Sequence, residues 1–320
     1  MPMYNKAQLA AEAHELHVVR DTLEKVYRLR DVLRFFDSSE LLRNSLALKG
    51  GTAINMLFFN LPRLSVDIDL DFCENISGDD MIEKRNRIEN LIEKHMAAEG
   101  YALSPKSKGY HSLSSMVYRY TNAGSMQDNL KIEINYSLRS HICPVQRMKM
   151  QPQLFDNGFE VNTVAAIEIY AAKTVALITR AAARDLYDLN HMVHYGLFDE
   201  QQLELYRKCT IFYLAVATKE PMLTPDYSAM DTITKHKIHT DLNPVIRDRN
   251  AFRLEDAKHT VRDFLQSTLY MTETERTFLR NFKNGSYTPE LLFDNGEILS
   301  RIEAHPMALW KVQNNRNNRE

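Results

Sequence analysis

Residues 47–72 read ALKGGTAINMLFFNLPRLSVDIDLDF, and the order of elements in this stretch decides the fold. From Leu64 to Phe72 apolar and polar residues alternate strictly, which predicts a half-buried strand. Side chains two apart on a strand share a face. Asp67, Asp69 and Asp71 therefore stand together, while Val66, Ile68, Leu70 and Phe72 face the core. Upstream, a short strand at Ala47–Lys49 leads into Gly50-Gly51 and a helix over Thr52–Phe59, which Asn60-Leu61-Pro62-Arg63 closes.

Neighbouring carboxylates on a rigid strand repel one another, and a divalent cation with a taste for hard oxygen ligands, Mg²⁺ or Mn²⁺, offsets that repulsion. A lone D-x-D is more often an acidic surface than a metal site. Two further features shift the weighing. Gly50-Gly51 lies between a strand and a helix start, where a phosphate can approach the backbone and meet free N–H groups. Glu133 is a polar member of the alternating run KIEINYSL and supplies a third carboxylate on a later strand. Asp67, Asp69 and Glu133 are thus the candidate metal ligands, with Asp71 as a supporting carboxylate.

Outward from this unit, residues 5–38 read as one helix and 40–47 as another. An amphipathic helix is predicted from Asp80 to Ala98, ending at Gly100. Strands follow at Tyr101–Ser104, Leu113–Thr121, Leu130–Leu138 and Gly158–Val161. From Ala165 the chain turns helical, with one run through Gly196 and further helices at Asp199–Val216, Leu254–Tyr270, Glu273–Asn284 and Pro289–Ala304. Pro221–Asn250 reads as a long loop, and the tail NNRNNRE as frayed. The fold class is α+β: a helical segment over 1–39, a core of mixed sheet flanked by helices over 40–163, and a helical domain over 164–320.

The 320 residues carry a formal charge of −2 and a 44% apolar share, the composition of an ordinary globular protein with no global sign of nucleic-acid binding. The basic pairs Lys106/Lys108 and Arg147/Lys149 read as solvated faces. Cys73, Cys143 and Cys209 are far apart and lack zinc spacing, as expected of reduced thiols. MPMYNKAQLAAEAHEL lacks the apolar core of a signal peptide, and no run approaches the roughly 20 apolar residues that cross a bilayer. The expectation is a cytoplasmic protein with no membrane partner. His111, His141, His191 and His194 form no H-x-x-x-H pair, and Ser114-Ser115 lies outside any G-x-S-x-G context.

The stretch from Leu48 to Phe72 closely resembles the signature of the AbiEii/AbiGii nucleotidyltransferase toxins, within the DNA polymerase β-like nucleotidyltransferase superfamily. The shared parts are Leu48-Lys49-Gly50-Gly51-Thr52-Ala53, the Arg63-x-Ser65 approach, and Asp67 through Phe72. A second matching block holds Lys173 in AAKTVAL, then Arg180, then Arg184-Asp185-Leu186-Tyr187-Asp188. On one continuous helix Lys173, Arg180 and Arg184 fall on one face and make a basic ridge, with Asp188 at its edge and Asp185 off it. The family pattern favours Asp185 as the functional carboxylate; the periodicity favours Asp188.

The resemblance implies an enzyme that transfers an NMP from an NTP to an acceptor hydroxyl and releases pyrophosphate. Asp67, Asp69, Glu133, Lys173 and Asp185 would be catalytic; Lys49, Gly50, Gly51, Thr52, Ser65, Arg180, Arg184 and Asp188 would contact nucleotide. It also implies a toxin of a toxin–antitoxin or phage-defence pair, with a cognate antitoxin as partner and a tRNA 3′ end as acceptor. Two rival readings are transfer to a protein hydroxyl and a nucleotide-binding interaction module without turnover.

Overall fold

The computed structural model describes residues 4–151, 159–248 and 251–317. They fall into two compact units. Of these residues, the first comprises 4–139, 145–151, 159–164 and 244–248, and the second 140–144, 165–243 and 251–317.

The first unit opens with α1 (Lys6–Glu15) and α2 (Arg20–Ser38). The single helix expected over 5–38 is broken, because His17 adopts a left-handed backbone with φ of 56°. α2 buries Leu23, Val26, Leu29, Leu33 and Phe36, a three- and four-residue spacing that makes one apolar stripe. The same helix also buries a charge pair: Arg28 Nη2 lies 2.6 Å from Glu24 Oε1, and the guanidinium sits over the Tyr120 ring. α3 (Glu40–Ser45) then feeds β1 (Leu46–Lys49).

The rest of the unit is a mixed sheet. After β1 come α4 (Gly50–Ala53), a π-turn at Ile54–Phe58, β2 (Asp67–Phe72) and α5 (Gly78–Ala98). β3 (Ala102–Leu103), β4 (Lys108–Gly109), β5 (Leu113–Thr121), β6 (Gln127–Asn135), β7 (Gln146–Lys149) and β8 (Glu160–Thr163) complete it. The strand order is β3-β5-β6-β2-β1-β8-β7, with β4 also on β5. β2 runs antiparallel to β1 and parallel to β6, so the aspartate strand sits in mid-sheet. The mixed sheet flanked by helices is as the sequence implies.

Several boundaries move. β6 lies three residues earlier at each end than the expected 130–138, and β2 starts at Asp67, not Leu64. Gly158, the expected start of the last strand, lies outside the described residues, and the strand there is Glu160–Thr163. The basic run at 147–149 lies on a strand, β7, that was not expected, and Arg147 and Lys149 are exposed there, as a solvated face requires. Arg147 pairs with Asp37 at 2.5 Å and with Glu160 at 2.8 Å.

The second unit is helical: α6 (Ala166–Arg180), α7 (Ala183–His194), α8 (Glu200–Ala217), α9 (Lys235–Lys237), α10 (Leu254–Thr268), α11 (Glu273–Lys283), α12 (Gly296–Ile302) and α13 (Pro306–Asn317). The helix expected at Pro289–Ala304 is instead a 3₁₀ turn at Pro289–Leu291 followed by α12; of the tail expected to fray, residues 314–317 continue α13 and 318–320 lie outside the described residues. Asp199 with Gln202, and Thr272 with Glu275, form reciprocal caps that start α8 and α11. Buried Arg207 reaches Glu275 at 2.6 Å. Glu168 accepts from the N–H groups of Ile142 and Cys143 and from the Tyr213 hydroxyl, which binds the segment 140–144 to this unit. Burial opposes ionisation of Glu168, but His141 beside it, with these donors, holds its carboxyl below the ordinary value. Among the described residues no helix is long and apolar enough to cross a membrane.

Candidate active site

The β1–β2 pairing brings the glycine turn onto the aspartate strand. Lys49 is registered opposite Asp69, and Ala47 opposite Asp71. The Lys49 ammonium reaches Asp71 Oδ1 at 2.5 Å, and Asp71 is buried. The pair places a positive charge against Asp71 inside the sheet. It also directs the Lys49 side chain to a carboxylate, where the sequence reading gave it nucleotide contacts.

Gly50 has φ of +68°, and a Cβ added there would lie 2.6 Å from Asp69 Oδ2. A side chain at this position is strained by the backbone and presses on the carboxylate. A Cβ on Gly51 would meet Arg63 Nη2 at 2.6 Å and Ser65 Oγ at 3.1 Å. Thr52 is fully buried; its hydroxyl donates to the Asp67 carbonyl, with Ser65 Oγ 2.8 Å away. Thr52 and Ser65 thus lock the helix start to the base of the aspartate strand.

Arg63 is the residue here that the sequence reading passed over, although it stood in the quoted Arg63-x-Ser65 element. It is buried, its Nη1 donates to the Leu64 carbonyl at 3.1 Å, and its backbone N–H donates to Asn55 Oδ1 at 3.3 Å. Asn55 Nδ2 in turn donates to the Gly51 carbonyl at 2.7 Å. The segment 244–248 holds this turn from outside: Leu64 N–H donates to the Val245 carbonyl at 2.7 Å, and Arg63 bridges to Ile246.

The parallel β2–β6 register places Asp69 opposite Glu133 and Asp67 opposite Lys131. Because residues two apart share a face, one face carries Asp67, Asp69, Lys131 and Glu133. Lys131 Nζ lies 2.8 Å from Glu133 Oε2. Burial disfavours the charge on Lys131, but Glu133, Asp67 and Asp69 outweigh it and raise its ammonium above the ordinary lysine value. The donor set suits a hard divalent cation in kind, since all three acids offer oxygen, and a cation already sits against one of them. Among the described residues, however, no three acidic, histidine or cysteine groups are gathered into a ready cage. Glu133 is instead turned to Lys131.

In the second unit, the basic ridge expected along one helix does not form. α6 stops at Arg180 because Ala181 takes a left-handed backbone with φ of 52°, and α7 restarts at Ala183. Arg184 therefore belongs to α7, where its Nε donates to the Asp241 carbonyl at 2.8 Å. The break turns Asp185 back onto α6. Lys173 Nζ lies 2.9 Å from Asp185 Oδ1 and 2.8 Å from Asp188 Oδ2, and Arg180 Nη2 is 3.3 Å from Asp185. Both aspartates thus bind the lysine, and the one-face periodicity that set Asp185 apart from Asp188 does not apply across the break. Nearby, His191 stacks against Tyr187 at 6.0 Å, and burial pushes its pKa down to about 4.

A family model described as "Nucleotidyl transferase AbiEii toxin, Type IV TA system" matches residues 34–284. No curated protein sequence matches. Among solved structures, MenT4, the nucleotidyltransferase toxin Rv2826c from Mycobacterium tuberculosis H37Rv, is similar in fold. The TM-score is 0.64 at 15% identity, over 96% of this chain and 99% of that one.

Proposed function

The chain belongs to the AbiEii nucleotidyltransferase toxin family, and from that premise we propose that it transfers an NMP from an NTP to an acceptor hydroxyl. In this reaction the acceptor hydroxyl gives up its proton to solvent, its oxygen bonds to the α-phosphorus, the bond from that phosphorus to the bridging oxygen breaks, and pyrophosphate leaves. The observation that carries the reading is the register of β2 on β6, which sets Glu133 beside Asp69 on the face that also bears Asp67. These three would hold Mg²⁺ or Mn²⁺, which when bound supplies charge neutralisation and lowers the acceptor hydroxyl's pKa.

The chain's own groups divide the remaining work. Gly50 and Gly51 bring a wall of backbone close against Asp69, Arg63 and Ser65, and a triphosphate would lie along that backbone. Lys49, Thr52, Ser65 and Arg63 fix that wall in place. Lys173, Arg180, Arg184, Asp185 and Asp188 are assigned to the reaction on the family resemblance alone, with Lys173 neutralising phosphate charge. The acceptor we favour is an RNA 3′ end such as that of tRNA. The setting is that of a cytoplasmic toxin with a cognate antitoxin, in a toxin–antitoxin or phage-defence pair.

The test incubates the protein with labelled NTPs, Mg²⁺ and total RNA, with intact-mass measurement of any protein present. Label in RNA that Asp69→Ala abolishes is the expected result. A nucleotide adduct on protein alone would replace the acceptor, and equal transfer by wild type and Asp69→Ala would overturn the reading.

A further inference from the structure

The acidic face carries one group that no role above uses. Lys131 stands two residues before Glu133 on β6, so both side chains rise from the same face, and the parallel register sets it opposite Asp67. Its ammonium is 2.8 Å from Glu133 Oε2, and both side chains keep access to solvent, at 37% and 27% exposure. The face thus groups three acids with one base on adjacent strands. A cation that enters the face meets a lysine already bound to one of its acids.

We propose that Lys131 is a positioning residue that competes with the divalent ion for Glu133, and so sets the ion concentration at which the site assembles. The inference rests on the metal-dependent reading above. Without an ion, Lys131 holds Glu133 on the face and relieves its repulsion with Asp67 and Asp69. An ion that takes Glu133 must displace the ammonium and then tolerate its charge nearby. Exposed pairs are weak, so displacement is cheap, and the positive charge left beside the ion is the larger effect. A neutral residue at 131 therefore tightens ion binding, and arginine does not.

The experiment measures free Mn²⁺ by electron paramagnetic resonance during titration of the full chain with Mn²⁺ alone, at low salt. Wild type, Lys131→Met, Lys131→Arg and the control Asp67→Asn/Asp69→Asn are compared, with circular dichroism to establish that each is folded. Lys131→Met should bind Mn²⁺ roughly fivefold to tenfold more tightly than wild type, and the gain should shrink as added salt screens the charge. Lys131→Arg should stay close to wild type. Equal affinity for wild type and Lys131→Met overturns the inference while leaving the metal reading intact. Wild-type binding no tighter than that of the double aspartate variant overturns the metal reading, and the role of Lys131 with it. If Lys131→Met is not folded, Lys131→Gln replaces it under the same criteria.

Discussion

A Cβ placed on Gly50 would lie 2.6 Å from Asp69 Oδ2, so the glycine turn and the central carboxylate occupy adjoining space with nothing between them. Gly50→Ala pays twice. Its φ of +68° costs an L-residue roughly 1–2 kcal/mol, and the new methyl pushes the Asp69 carboxylate aside. We expect a destabilisation of about that size in urea unfolding and a loss of label transfer of at least about a hundredfold, since misplaced catalytic groups cost that much. Full activity in folded Gly50→Ala would detach the turn from the site.

Lys49 is the counter-ion of buried Asp71, at 2.5 Å. Lys49→Met removes that counter-ion. The cost should be about 2–3 kcal/mol, below that of a wholly buried pair because Lys49 is partly exposed. Lys49→Met/Asp71→Asn should recover much of it in chemical denaturation. A single variant as stable as wild type would mean that Asp71 finds its compensation elsewhere.

Lys173 bridges Asp185 and Asp188 at 2.9 and 2.8 Å, and all three are largely buried. Lys173→Met should destabilise the chain by about 3–5 kcal/mol, and a double-mutant cycle with Asp188→Asn should show strong coupling. Independent, additive effects would remove the lysine from the centre of this cluster.

Burial lowers the pKa of His305 from 6.5 to about 4, with a smaller push from His141. The unfolded chain then binds a proton that the folded chain refuses between these values. Stability from this group is complete above pH 6.5 and falls as the pH drops toward 4. At most about 3 kcal/mol is lost from this one group, and His305→Gln should flatten the slope of unfolding free energy against pH over that window. His191, also lowered to about 4, contributes a slope of the same sign that survives in the variant. An unchanged slope in His305→Gln would contradict the assignment.

The parts of the molecule that could be read in advance were those where local pattern and tertiary role agree. β5 falls on its expected residues, and the buried Ile68, Leu70 and Phe72 follow from their alternation. The break at Ala181 could not be read, because Ala181-Ala182-Ala183 is among the best helix-forming runs available and carries neither glycine nor proline. Lys173 bonded to both aspartates fits the interrupted path and not the continuous one. β7 escaped because an edge strand of four residues shows too few alternations to stand out. The contribution of Val245 and Ile246 to the Arg63 turn is invisible in sequence, being a backbone pairing across some 180 positions. The shared face of Lys131 and Glu133 is legible from their spacing, but the ion pair between them depends on side-chain orientation that spacing does not set.

The central claim, nucleotidyl transfer at the Asp67–Asp69–Glu133 face, is tested most directly by the position of the label. The protein is incubated with RNA and Mg²⁺, once with α-phosphate-labelled and once with γ-phosphate-labelled NTP. The account predicts that α-label enters the RNA and is lost in folded Asp69→Asn, while γ-label appears only in pyrophosphate. Transfer of γ-label to the acceptor, or α-label transfer that survives Asp69→Asn, would contradict it.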